Sequence, residues 1–309
     1  MSELYIGAGG WAYFHLPGIS SLRAYSKAFN FVEINSTFYE IPDLKEVKRW
    51  KKTVPLGFRF SVRAHHSVTH GPSEPLQKVH TSFRRMLDIC SALDADILHL
   101  QFPPSHKPSV CASRLEGLLK IEEIEGTQLA VEARGENGVL LPSKLLKVMR
   151  DYNIVHCVDL VRGEMPAYDS GILYSRIFGK GEHNVYQPDD SELLKVDEIA
   201  RGNGRTYIAF HGVKMYSDAA RLKIFDATGE FPMVTSTTGI GSLESVLNED
   251  VKFPVSKDAL IRDQGWKLFD ADEVRRVRAG EVLSKLPDRM YENLFDVREE
   301  LKRVGGIFG

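Results

Sequence analysis

Two polar residues sit where a strand interior is expected. In the segment FVEINSTFYEIP, Phe31 to Pro42, Val32 and Ile34 fall on one face of an extended chain while Glu33 and Asn35 fall on the other. A carboxylate and an amide buried side by side cost roughly 1–3 kcal/mol each unless they meet polar partners. Similar polar residues close other apolar runs: Arg63 and His65, His99 and Gln101, Glu132 and Arg134, Asp159, Arg176, and His211. If these runs lie side by side, acids, histidines and arginines converge on one mouth.

Two chemistries suit that set. In one, Glu132, Asp159 and His211, with Glu33 nearby, hold a divalent cation, since mixed carboxylate and imidazole donors suit Mn²⁺, Mg²⁺ or Zn²⁺. The metal would polarise an oxygen or lower the pKa of a bound water. In the other, no metal is needed: Glu33 or Glu132 is general acid or base, and Arg63, Arg134 and Arg176 hold an anion through planar, bidentate contacts. A carboxylate ringed by arginines is a weak base, so one acid must be shielded from them. Against any ligand site stands the alternative that Glu132 pairs with Arg134 or Arg176 simply to neutralise buried charge.

The runs that carry these residues are Leu4 to Gly9, Phe31 to Ser36, Phe58 to Ala64, Ala95 to Phe102, Gln128 to Arg134, Ile154 to Leu160, Ile172 to Phe178 and Arg205 to Phe210. Helical periodicity lies between them, as in Leu44, Val47 and Trp50, or Phe83, Met86, Leu87 and Cys90. Strand and helix alternating with short loops imply parallel strands and right-handed crossovers. Eight such units in about 220 residues fit a TIM-like (β/α)8 barrel. An open doubly wound sheet is the alternative, but GAGGW after the first run lacks the G-x-G-x-x-G of a dinucleotide site. Between the sixth and seventh runs, Val161 to Gly171 is too short for a full helix.

Three domains are expected: a barrel over residues 1–228, a linker or lid over 229–253 that contains TSTTGIGS, and a small α+β module over 254–309. The module reads as a helix Ser256 to Asp263, a hairpin of Gly265 to Phe269 with Val274 to Arg278, and helices near Glu281 to Leu286 and Asn293 to Val304.

A chain that is 43% hydrophobic over 309 residues can bury a large core without cross-links, and Cys90 and Cys157 read as small core residues. No apolar run approaches the roughly 18 residues of a membrane span, and an opening that passes at once into a strand leads us to expect a cytoplasmic protein. A formal net charge of −2 offers no global attraction for nucleic acid, so an anionic or phosphorylated small molecule is the expected partner.

GAGGW, FNFVEINSTFYEIP, the W-x-x-x-x-P of Trp50 to Pro55 before FRFSVRA, the pair Thr69 and His70, LQFPPS and VEAR together resemble the YecE-like family, domain of unknown function 72, over roughly residues 4–215. The resemblance implies a TIM-barrel-like fold, and the family has been likened to sugar isomerases and endonuclease IV, an analogy of fold. The chain departs from the family pattern at Glu136 to Val139 after the fifth strand, at Arg176 to Gly179 on the seventh, and at Phe210 to Gly212 on the eighth.

Further candidates come from the loops. TIM barrels often cradle phosphate after the seventh and eighth strands, where this chain has Gly179, Lys180 and Gly181, then His211 to Lys214. His65 and His70 lie in a loop over the mouth, and Trp11 with Phe38 or Tyr39 could form a stacking wall. The expected function is an enzyme acting on a phosphorylated or anionic substrate, by phosphoester hydrolysis or sugar isomerisation. A noncatalytic nucleic-acid-binding or processing protein, or a ligand sensor, is the alternative.

Overall fold

A computed structural model describes residues 3–71, 76–103, 105, 108–120, 124, 126–133 and 141–304. Eight strands close into a parallel barrel in chain order: β1 (Glu3–Ala8), β2 (Phe31–Ile34), β3 (Arg59–Arg63), β4 (Ile97–Phe102), β5 (Gln128–Ala133), β6 (Val155–Val158), β7 (Ile172–Ile177) and β8 (Arg205–Phe210). The expected (β/α)8 architecture is present, and each strand falls within a residue or two of the run that predicted it. β1 closes the ring against β8, with Glu3 opposite Arg205 and Ala8 opposite Phe210. Between β6 and β7 the chain makes only a short 3-10 turn, Leu160–Arg162, as the spacing required.

The strands alternate. On β2, β3 and β4, Val32, Ile34, Phe60, Val62, Leu98 and Leu100 are fully buried on the face opposite to Glu33, Ser61 and His99. Inside the barrel the lower layers are apolar and aromatic, built from Phe31, Ile97, Ala130, Val155, Tyr174 and Tyr207. The registers Glu33 to Ser61, Arg63 to His99, Gln101 to Glu132, Cys157 to Tyr174 and Arg176 to Ala209 then set the polar residues one layer higher, toward the C-terminal ends. That end is where such barrels carry their chemistry.

The chain divides into two compact units, Met1–Ile177 with Val196–His211, and Phe178–Lys195 with Gly212–Gly309. The barrel strands and their polar interior belong to the first. The second has its own core of Leu243, Val246, Leu247, Leu260, Phe269, Val282, Leu283, Tyr291, Val297 and Leu301. Residues 239–247, in the stretch expected to be linker or lid, form a helix that contributes three of those leucine and valine side chains. The α+β elements lie near their expected places: a helix Lys257–Gln264, an antiparallel pair Leu268–Asp270 with Arg276–Arg278, and a final helix Leu294–Val304. No helix among the described residues is long and apolar enough to cross a membrane.

Candidate active site

Glu33 is the hub. Its side chain is fully buried, and β7 supplies two partners from successive inward positions: the Tyr174 hydroxyl donates to Oε2, and Arg176 donates from Nε (3.0 Å to Oε2) and Nη2 (2.9 Å to Oε1). His211, just past β8, brings Nε2 to 3.2 Å from Oε1. Ser61 Oγ lies 3.0 Å from the Tyr174 hydroxyl beneath them. The arginine continues outward, its Nη1 donating to Glu132 Oε2 and, at 3.3 Å, to Gln101 Oε1. His99 sits between the two acids, Nε2 at 3.3 Å from Glu132 Oε2 and Nδ1 at 3.8 Å from Glu33 Oε2.

The electrostatics follow from one guanidinium shared by two carboxylates. Burial alone would raise the Glu33 pKa; Arg176, His211 and His99 more than offset it, so the carboxyl is held well below its ordinary value. Burial weakens the Arg176 charge, but Glu33 and Glu132 outweigh burial and keep it fully protonated. Both histidines are pushed down by burial first and Arg176 second, His99 to about 4. At neutral pH they are neutral imidazoles. Burial and then Glu33 push the Tyr174 phenol well up, so it remains a donor.

Arg63, on β3, follows another pattern. Its Nη1 donates to Asn35 Oδ1 at 2.6 Å and its guanidinium lies 3.7 Å from the Phe38 ring. Thr37 Oγ1, 2.8 Å from Ile34 O and 2.6 Å from Arg63 O, ties the two strand ends together. Burial and the Arg176 charge lower the Arg63 pKa to about 10.

Several expected residues lie elsewhere or have other work. Asp159, proposed as a metal ligand, caps the 3-10 turn by accepting from Val161 N at 3.0 Å and faces Arg162. The group of His, Cys, Asp and Glu side chains that does cluster among the described residues is His99, Glu132 and Cys157, with ligand atoms within 4.8 Å of one another, in place of Glu132, Asp159 and His211. That donor set suits a divalent cation poorly. Arg176 already neutralises Glu132, and burial, reinforced by Glu132, drives the Cys157 thiol far above its ordinary pKa, away from the thiolate a metal needs.

The loop candidates are engaged as well. Lys180 donates to Glu192 Oε1 at 2.6 Å and Lys214 to Glu249, so neither is the unpaired cation a phosphate cradle would use. Gly179 has φ +78°, and a Cβ there would come within 2.2 Å of the Tyr186 ring, a packing reason for glycine. His65 caps the helix His66–Thr69 through Ser67, and His70 bonds Thr69 Oγ1 at 2.8 Å with its ring against Phe38. Trp11 packs edge-on to Trp50. Because β2 ends at Ile34 and a 3-10 turn follows, Phe38 meets Arg63 whereas Tyr39 is 70% exposed. Arg134 lies outside the described residues. Tyr174 and Ser61 were missed, although strand alternation below Arg176 and Arg63 carried the signal.

The family model described as "Protein of unknown function DUF72" matches residues 5–224. UPF0759 protein YecE of Escherichia coli (strain K12) is 35% identical over 69 residues, 22% of this chain and 25% of that protein, so the match spans a quarter of that relative. A DUF72 family protein of Thermotoga maritima MSB8 superposes with TM-score 0.56 at 20% identity, over 73% of this chain and 99% of the other. The 3-keto-D-glucoside 4-epimerase YcjR of E. coli does so with TM-score 0.52 at 11% identity, over 74% and 100%. At these identities the superpositions establish a common fold and no more. With the family model matched across most of its 309 residues, the chain belongs to the DUF72 family.

Proposed function

We propose that this protein is an enzyme that moves a proton on a small anionic, sugar-like substrate at the barrel mouth, an isomerase or epimerase in preference to a phosphodiesterase. The observation that carries the reading is the couple of Glu33 and His211. A fully buried, ionised carboxylate 3.2 Å from Nε2 favours the tautomer protonated there and fixes the orientation of the ring. A neutral imidazole backed by a carboxylate is a general base suited to neutral pH. Glu33 is a positioning residue in this scheme: it is wholly enclosed and acts through His211. Glu132, whose side chain keeps 12% exposure beside His99, is the second acid/base group.

Phosphoester hydrolysis fits less well. It asks for strong stabilisation of a developing phosphoryl charge, by a metal or by unpaired cations. Here Arg176 is committed to the two acids, and Lys180 and Lys214 to Glu192 and Glu249, which leaves Arg63 as the single cation of this set without a carboxylate, enough to hold an anion but little to stabilise a phosphoryl transition state. A fold relative named as a sugar epimerase agrees with proton transfer by analogy alone.

The test is exchange with solvent. The protein is incubated in D₂O with phosphorylated aldoses and ketoses and with uronic acids, and proton NMR follows the C–H beside the carbonyl. We expect loss of that signal for one substrate class, slowed about 10²–10⁴-fold by His211→Asn. No exchange with any of these compounds, or exchange indifferent to His211→Asn, contradicts the proposal.

A further inference from the structure

Of the buried cationic side chains among the described residues, Arg176, Arg221 and Lys267 each meet a carboxylate within 2.9 Å, and Arg63 meets none. Arg63 is 9% exposed, its hydrogen bonding is confined to Asn35, and Nε is buried without a partner. A buried guanidinium without a counter-anion is costly, so its retention needs a reason.

The neighbouring amides supply one. Asn35 Oδ1 is taken by Arg63 Nη1, and Gln101 Oε1 by Arg176 Nη1. With each oxygen turned toward an arginine, each amide presents an NH₂ that has no partner among the described residues. Asn35 stands one residue beyond β2 next to Arg63 on β3, and Gln101 follows two residues after His99, the register partner of Arg63 on β4. Three adjacent strands therefore end in donors: a guanidinium and two amide NH₂ groups, on half-buried or buried side chains. Unpartnered donors on three neighbouring strand ends are complementary to an acceptor-only ligand.

We propose that Arg63, Asn35 and Gln101 form an oxyanion receptor that anchors the charged end of the substrate, a carboxylate or a phosphate group, at the mouth of the barrel. It rests on the reading of the mouth as a substrate site and adds the chemical handle by which the substrate is recognised. Phe38 under the guanidinium and the Thr37 clamp on its backbone hold the receptor ready before the ligand arrives.

Binding is read without turnover, by titrating inorganic phosphate and, separately, acetate into the full chain while following the Arg63 side-chain resonances. One or both anions should saturate, and the stronger binder identifies the group. Arg63→Gln should weaken that affinity at least about tenfold. Asn35→Asp places a carboxylate against Arg63; it should abolish anion binding and raise the melting temperature, which guards against a variant that merely unfolds. His211→Asn should leave the anion bound, and saturable anion binding by a parent protein that shows no proton exchange, or whose exchange is indifferent to His211→Asn, would overturn the catalytic reading alone. Failure of both anions to bind, or affinity unchanged in Arg63→Gln and Asn35→Asp, overturns the receptor.

Discussion

Arg176 Nη2 lies 2.9 Å from Glu33 Oε1, and both side chains are almost wholly enclosed in the barrel. A buried ion pair is weak evidence for stability, because the cost of removing two charges from water can exceed their attraction. Breaking one is another matter. Arg176→Met leaves Glu33 and Glu132 facing each other without a counter-charge, and we expect a loss of about 3–5 kcal/mol in urea unfolding. Adding Glu33→Gln to that variant should recover part of the loss, and the cycle gives the coupling directly. Simple additivity of the two losses would show that the pair is not an energetic unit.

Stability should fall in mild acid. The folded-state pKa of His99 is depressed to about 4, against about 6.5 when unfolded. Between those values the unfolded chain binds a proton that the folded chain refuses, so stability is full above about pH 6.5 and declines toward pH 4. His156, also pushed down to about 4 by burial, adds to the same window. Glu33, held well below its ordinary value, adds a further loss below about pH 4.3, where the unfolded carboxylate takes up its proton. His99→Gln should flatten the slope between pH 6.5 and 4 by about one proton relative to the parent, measured by urea midpoints across that range.

Gly9 holds space for the imidazole. A Cβ at that position would stand 2.3 Å from both Nδ1 and Cε1 of His211. Gly9→Ala must therefore displace the ring, and misplacement on the scale of an ångström costs about 10²-fold in rate. We expect solvent exchange to fall by that order while circular dichroism stays that of the parent. Unaltered exchange would remove His211 from the chemistry.

The lysines after β7 and β8 should be bystanders. Lys180 is 54% exposed in its pair with Glu192, and such surface pairs contribute about 0–1 kcal/mol. Lys180→Gln and Lys214→Gln should leave phosphate and acetate affinity within about twofold of the parent by the same titration. A tenfold loss in either would return the anion to the glycine-lysine loops.

What the sequence disclosed, and what it hid, follows from range. Apolar runs and their 3.6-residue spacers made the eight strands readable, since periodicity is a local signal, and the short span Val161 to Gly171 correctly foretold a missing helix. The inward set Glu33, Glu132, Arg176 and His211 was also readable, because strand alternation is local too. Their pairing was not: Arg176 meets Glu33 across 143 positions of chain, and only barrel closure decides which acid it reaches. The same holds for Lys180 with Glu192 and Lys214 with Glu249, whose pairing removed the phosphate cradle suggested by their glycines. Asp159 misled for a local reason, since an acid at a strand end serves equally well as the cap of the turn that follows.

Metal-independent proton transfer through His211 is tested by solvent-deuterium exchange with chelator-treated protein, with and without added Mn²⁺ or Zn²⁺, beside His211→Asn. We expect a rate unaffected by stripping or restoring metal, because Arg176 already supplies the positive charge between the two acids, and a rate that collapses in His211→Asn. Exchange that appears only with metal, or that survives His211→Asn, would contradict that route.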